Sequence, residues 1–206
     1  MYIPSFNKFP DGQEVVAFMQ RYSFATIVTT IDGLPVATHL PFLVKEEGGK
    51  VILQSHFAKA NPQWKAITES ASLVIFTEPH AYISPNNYET EKNVPTWNYI
   101  AVHAYGQAKL LDGVEEKAEL LKHTINTFEA DYLKQWQGLP EDYKLKMMNG
   151  ITAFEIEVTD LQAKKKLSQN RTDKEIDNII YSLEKSEDNI VSEIAEYMKG
   201  LKNPNL

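Results

Sequence analysis

The chain has 206 residues, 43% hydrophobic and 24% charged, which suits one full domain with an appendage and excludes a largely disordered protein. Its lack of cysteine excludes disulfides, thiolate metal sites and a cysteine nucleophile. The net charge of −7 is uneven, −1 over residues 1–111 and −6 over 112–206, and this opposes any nucleic-acid binder that works through its surface field.

The first half reads as strands. Residues 24–30 are rich in β-branched side chains, and Asp32-Gly33 separates them from a second extended run at 34–44. An Asp-Gly pair between such runs is a strong hairpin signal, because both turn residues take positive φ. Pro35 and Pro41 cannot donate to a ladder, so the second strand is expected at an edge or bulged. Glu46-Glu47-Gly48-Gly49 makes the next turn, and 50–55 is a third strand. Asn61-Pro62 then opens a short helix, with Asn61 as N-cap.

Two β segments are expected at 72–77 and 81–84, around Glu78-Pro79, followed by a polar loop at 85–95. A long strand is expected at 96–111, bulged at Gly106. Helices follow at 114–133 and 140–149, and a last strand at 151–158. From Thr172 the pattern changes. Ile176, Ile179, Ile180 and Leu183 recur at helical spacing, as do Ile190, Ile194, Tyr197 and Leu201. They predict a pair of amphipathic helices. The expected domains are thus 1–171 and a helical extension at 172–206. An antiparallel barrel would hide the strand edges. No apolar run reaches the roughly 18 residues of a membrane helix, and no signal-like segment opens the chain, so a cytoplasmic protein away from membranes is expected.

Motifs exclude several chemistries. The five histidines form no local ligand pair and read as hydrogen-bonded strand or loop residues. The nucleophile elbow, the phosphate loop and the dinucleotide fingerprint are all absent. What stands out is a set of polar and aromatic segments at strand ends. Around Ser55, Lys59 and Asn61, hydroxyls, an ammonium and a helix start would meet, which suits a phosphate dianion. The lysines at 164–166 with Arg171 offer more cations, or form only a solvated face. Trp64, Tyr82, Trp97 and Tyr99 fit core or cross-strand packing as well as stacking on a ligand.

These segments carry a resemblance. ATHLPF (37–42), HFAKANPQW (56–64), PHAYISP (79–85), VPTWNY (94–99), VHAYG (102–106) and KLSQNR (166–171) occur in one order. Together they resemble the PaiB-type FMN-binding negative transcriptional regulators, from the opening MYIP to about Arg171. The resemblance implies a mainly β chain with α elements. The implied fold is an FMN-binding split β-barrel with flanking helices and a C-terminal helical pair. It also implies a homodimer with FMN near the subunit interface. By analogy, Ser55, His56, Lys59 and Asn61 would hold the phosphate. Thr38 and His39 would lie by the ribityl chain or ring. Trp97, Asn98 and Tyr99 would meet the ring edge or the dimer contact, and Ser168, Gln169 and Arg171 would approach from the other side.

The regulatory role the family implies leaves the partner open, as DNA or another regulator. Direct DNA contact is disfavoured, because the second helix of the only helix-turn-helix-like pair carries Glu193 and Glu196. Two alternatives remain. One is an FMN-dependent oxidoreductase of the flavin or nicotinamide reductase type. The other is a haem-binding or haem-degrading split barrel, with His39, His80 or His103 as axial ligand.

Overall fold

A computed structural model describes residues 1–9 and 12–202. Its strands are β1 (Phe24–Ile31), β2 (Leu34–Pro41), β3 (Leu43–Glu47), β4 (Lys50–Ala58), β5 (Ala71–Ile83), β6 (Thr96–Leu111), β7 (Ile151–Glu157) and β8 (Asp160–Lys166). Its helices are α1 (Gly12–Arg21), α2 (Val114–Phe128), α3 (Tyr132–Gly138), α4 (Glu141–Asn149), α5 (Asp173–Glu184) and α6 (Asn189–Lys202). The strands pair in the order β2-β1-β5-β6-β7-β4-β3, with β8 beside β6. The pairs β1–β2, β1–β5, β3–β4, β4–β7 and β6–β7 are all antiparallel.

The β1–β2 hairpin turns at Asp32 and Gly33, with φ of 51° and 78°, as the Asp-Gly pair predicts. The proline-bearing β2 ends the strand order, which leaves its missing N–H groups at an edge. The run at 34–44 is not one strand. It breaks at Phe42, whose N–H donates to Ser23 O, so that β2 pairs with β1 and β3 pairs with β4. The two segments expected at 72–77 and 81–84 are one strand, continuous through Pro79. The helix expected at 114–133 ends at Phe128, where Glu129 leaves helical geometry at φ −157° and ψ 71°. The short helix after Asn61 is a single four-residue 3-10 turn, Pro62–Lys65. Three elements escape the sequence pattern, α1, α3 and β8.

The chain divides into two compact units. The first holds Met1–Val15, Thr77–Val102 and the chain from Gln162 onward; the second holds Val16–Phe76 and His103–Leu161. The second unit is built on aromatic packing. Phe42 meets the edges of Phe76 and Phe154 at 5.9 and 6.2 Å, and Phe57 stacks on Phe154 at 5.1 Å. Leu43, Leu111, Leu120 and Ala153 form a buried cluster in the same unit. Burying each large ring contributes about 1.5–3 kcal/mol.

In the first unit, α5 and α6 bury Ile179, Ile180, Leu183, Ile194, Ala195 and Met198. A capping box starts α5: the Thr172 hydroxyl accepts from Glu175 N–H, and the Glu175 carboxylate accepts from Thr172 N–H. The same carboxylate accepts from Glu89 N–H, fixing the loop after β5 to the start of α5. Residues 203–206 of the expected helical extension lie outside the described residues. Among the described residues, no helix is long and apolar enough to cross a membrane.

Candidate functional site

The twelve residues that the resemblance implicates fall into two groups, six in each unit. Thr38, His39, Ser55, His56, Lys59 and Asn61 belong to the second unit; Trp97, Asn98, Tyr99, Ser168, Gln169 and Arg171 belong to the first.

In the second unit a buried amide locks the connection after β4. Gln63 is fully buried. Its Nε2 donates to Ile27 O at 3.3 Å and Val36 O at 3.1 Å, and its Oε1 accepts from the Thr38 hydroxyl at 2.5 Å. Asn61 Nδ2 donates to Thr38 Oγ1 at 3.0 Å, and Asn61 Oδ1 accepts from Gln63 N–H at 3.0 Å. Asn61 is therefore the N-cap its sequence predicts, but of a turn too short to carry a helix dipole. Thr38 and Asn61 spend these hydrogen bonds on each other and on Gln63. Ser55 is buried and donates to Pro41 O at 2.6 Å.

Of the remaining groups, His39 and Lys59 face outward and His56 is half-buried. His39 is exposed and stacks beside exposed Phe24, ring centres 6.4 Å apart. Lys59 anchors only through its backbone. Its N–H donates to Gly150 O and its O accepts from Trp64 Nε1, while its ammonium has no hydrogen-bond or ion-pair partner among the described residues.

Burial pushes the His56 and His103 imidazoles below the ordinary histidine value of 6.5. Between the lowered folded value and 6.5 the unfolded chain binds more protons, so stability rises with pH there. This contribution is complete above 6.5 and is lost as pH falls through the lowered values. A denaturation midpoint measured from about pH 7 down to about pH 5 should therefore fall, and His56→Gln should flatten part of the slope. The same slope in the variant would place the titration elsewhere.

In the first unit, the segment at 166–171 is a locked turn. Ser168 sits in the left-handed region at φ 61° and donates from its hydroxyl to Asn98 Oδ1 at 3.0 Å. Fully buried Asn98 in turn donates to Met198 Sδ at 3.6 Å. Gln169 bridges the turn, accepting from Leu167 N–H at 2.8 Å and donating to Lys165 O. Arg171 lies over the Tyr88 ring at 3.7 Å and donates to Asn93 Oδ1 at 2.7 Å. Asn98, Ser168 and Gln169 are thus engaged within the fold, as Thr38 and Asn61 are in the other unit. Tyr99 lies under the Lys164 ammonium at 5.2 Å.

Trp97 is 52% exposed and Tyr82 is 51% exposed. Their rings meet edge to face at 5.8 Å, with His80 5.9 Å from Trp97. This leaves an uncovered aromatic strip across β5 and β6.

The chain matches over residues 1–160 a protein family described as "Putative FMN-binding domain". It is 41% identical over 202 residues, 97% of each chain, to the protease synthase and sporulation protein PAI 2 of Bacillus subtilis (strain 168). It belongs to that FMN-binding family. Among solved structures it is similar to the FAD and heme binding protein of Mycobacterium smegmatis, at TM-score 0.61 and 14% identity, over 78% of this chain and 73% of that one. It is also similar to the flavocytochrome Anf3 of Azotobacter vinelandii, at TM-score 0.59 and 19% identity, over 75% and 67%. The fold is accordingly that of the FMN-binding split barrels, mainly antiparallel sheet with helices, and the cofactor of this PaiB-like chain is FMN.

The side chains present suit such a group. A flavin mononucleotide needs a cation for its phosphate and ring surface for its isoalloxazine. The second unit offers both, in the unpartnered Lys59 ammonium and the exposed Phe24–His39 pair. The sequence does not single out Gln63, although it lies in the HFAKANPQW segment. A glutamine among polar neighbours gives no sign that it is fully buried. Nor does the lysine run mark Lys164 and Lys166 as a pair. Their spacing of two, which puts both on one face of a strand, is the signal that could have found them.

Proposed function

We propose that this chain is a homodimeric, FMN-binding regulator of the PaiB type that holds the cofactor's phosphate through Lys59. The observation that carries the reading is the Thr38–Asn61–Gln63 lock, which fixes the turn bearing an ammonium without a partner. A charge-assisted bond to phosphate contributes roughly 1.5–3 kcal/mol. His56 lies near the end of β4, three residues before Lys59, and burial lowers its pKa, which favours a neutral hydrogen-bond partner over a second charge. When bound, FMN supplies a planar ring that accepts a hydride or single electrons.

The homodimer is supported by the exposed strip of Tyr82, Trp97 and His80, which a second copy of the chain would cover. The regulatory role is supported by the relative whose name refers to protease synthesis and sporulation. Direct reading of duplex DNA by α6 is not supported. Both of its lysines are ion-paired, Lys199 with Glu184 and Glu196, and Lys202 with Asp177. The regulatory effect is assigned instead to a partner protein or to the flavin.

The test is the visible spectrum of the protein after FMN is added and the excess removed. A retained two-band flavin spectrum is expected. Lys59→Ala should weaken FMN by one to two decades, at about 1.4 kcal/mol per decade, with an unchanged melting temperature. Unchanged affinity in a titration would remove Lys59 from the site.

A further inference from the structure

The first unit holds a cavity of about 350 Å³ whose lining includes Tyr2, Phe6, Lys164, Lys166, Ser168 and Arg171. Its charges are unbalanced. Lys164 and Lys166 alternate along β8, with Lys165 between them. Lys165 has a carboxylate, Glu14. Neither of its neighbours has one among the described residues. The Lys164 ammonium donates to Tyr2 O at 3.3 Å and lies 5.9 and 5.2 Å from the Tyr2 and Tyr99 ring centres. The Lys166 ammonium donates to the Thr96 hydroxyl and to Trp97 O at 2.6 Å. An ammonium has three donors, and two of those on Lys166 go to neutral oxygens. Burial, and then the Lys164 charge, push the Lys166 ammonium below the ordinary lysine range. Arg171 adds a guanidinium, whose nearest carboxylate, Glu175, is 3.9 Å away and already engaged by the α5 capping box.

Partly buried cations held close together without counter-charge are costly, and an anion between them removes the cost. The framework is already built for one. Ser168 takes up the left-handed backbone that turns the chain beside the lysines, and its bond to Asn98 holds it there. One carboxylate would leave the site cationic, whereas a phosphate monoester carries up to two negative charges and three terminal oxygens for these donors. The volume lies at the small end of the roughly 300–1,000 Å³ of ligand pockets, room for a phosphate and a short body against Tyr2 and Phe6.

We propose that the cavity lined by Lys164, Lys166, Ser168 and Arg171 is a binding site for a phosphate monoester. Its source is either the terminal phosphate of the flavin or a second phosphorylated ligand. The proposal does not depend on the Lys59 assignment, because inorganic phosphate alone probes it.

The test titrates the full chain at low salt with inorganic phosphate, then with FMN and with riboflavin. Saturable phosphate binding is expected, weakened about tenfold or more in Lys166→Met and several-fold in Arg171→Gln. Lys166→Met keeps the aliphatic stem; if it does not fold, Arg171→Gln decides alone. The preference for FMN over riboflavin names the source. Its collapse in Lys166→Met, with Lys59→Ala unaffected, assigns the cavity to the cofactor's own phosphate. Its collapse only in Lys59→Ala, with inorganic phosphate still lost in Lys166→Met, assigns the cavity to a second phosphorylated ligand. No saturable phosphate binding up to about 10 mM, or wild-type affinity in both variants, overturns the proposal. A protein that takes up no flavin would end the FMN reading and leave the phosphate titration standing.

Discussion

Gly106→Ala is expected to destabilise the protein by about 3–5 kcal/mol, the largest effect of any Gly→Ala change in this chain. A Cβ at this position would lie 2.3 Å from Glu157 O and 2.5 Å from Ile156 Cγ2. Real Cβ atoms do not come within 3.0 Å of such neighbours. Neither neighbour can yield cheaply. Glu157 O belongs to the backbone at the end of β7, and Ile156 is fully buried. The backbone is fixed on both sides. Thr159 N–H donates to Tyr105 O at 2.8 Å, and Ala108 pairs with Ile156 in the β6–β7 ladder. Making room for a methyl would pull these pairings apart. For a chain of this size the penalty corresponds to a fall of about 10 °C in Tm. Gly138→Ala is the control, because nothing lies within 4 Å of a Cβ there. Equal melting temperatures for the two variants would show that the close approach at Gly106 does not exist in solution.

The same glycine marks the boundary of what the sequence reveals. Its place inside a long strand is visible from the alternation around it, and that alternation does place the whole strand at Thr96–Leu111. The need for glycine is not visible. It comes from the approach of residues about fifty positions away, and β6 runs through Gly106 without the expected bulge. Elements with strong local signals were legible: the Asp32-Gly33 hairpin, the α5–α6 periodicity and the Asn61 cap. Elements set by tertiary context were not. The strand β8 contains Lys164, Lys165 and Lys166, which alone suggest a solvated run. In the fold Lys164 is only 7% exposed and Lys165 only 5%, sheltered by Tyr2, Tyr99 and Phe9 and by the Glu14 carboxylate. The candidate site divides in the same way. Its segments were legible as blocks of unusual composition. The roles of the residues within them were not, because composition cannot tell a hydroxyl that donates to a main-chain carbonyl, as Ser55 does, from one left for a ligand.

Gln63→Leu should cost about 2–4 kcal/mol although it preserves side-chain volume. The amide is fully buried and serves three partners at once. Leucine would strip Ile27 O and Val36 O of this donor and leave the Thr38 hydroxyl without its acceptor. A buried polar group left unsatisfied costs about 1–3 kcal/mol, and no water reaches a fully buried position without opening the structure. Thr38→Val removes two bonds from the same network, the one its hydroxyl donates to Gln63 and the one it accepts from Asn61, and should cost about 1–3 kcal/mol. The two effects should be less than additive in the double variant, because both remove the Thr38–Gln63 bond. The lock also separates stability from function. Lys59→Ala should lower FMN affinity with the melting temperature unchanged, since its ammonium supports nothing in the fold. Gln63→Leu should lower both, because the turn that presents Lys59 loses its anchor to β1 and β2. Gln63→Leu with full FMN affinity and a lowered melting temperature would mean that the lock holds the fold alone and that the phosphate is bound elsewhere.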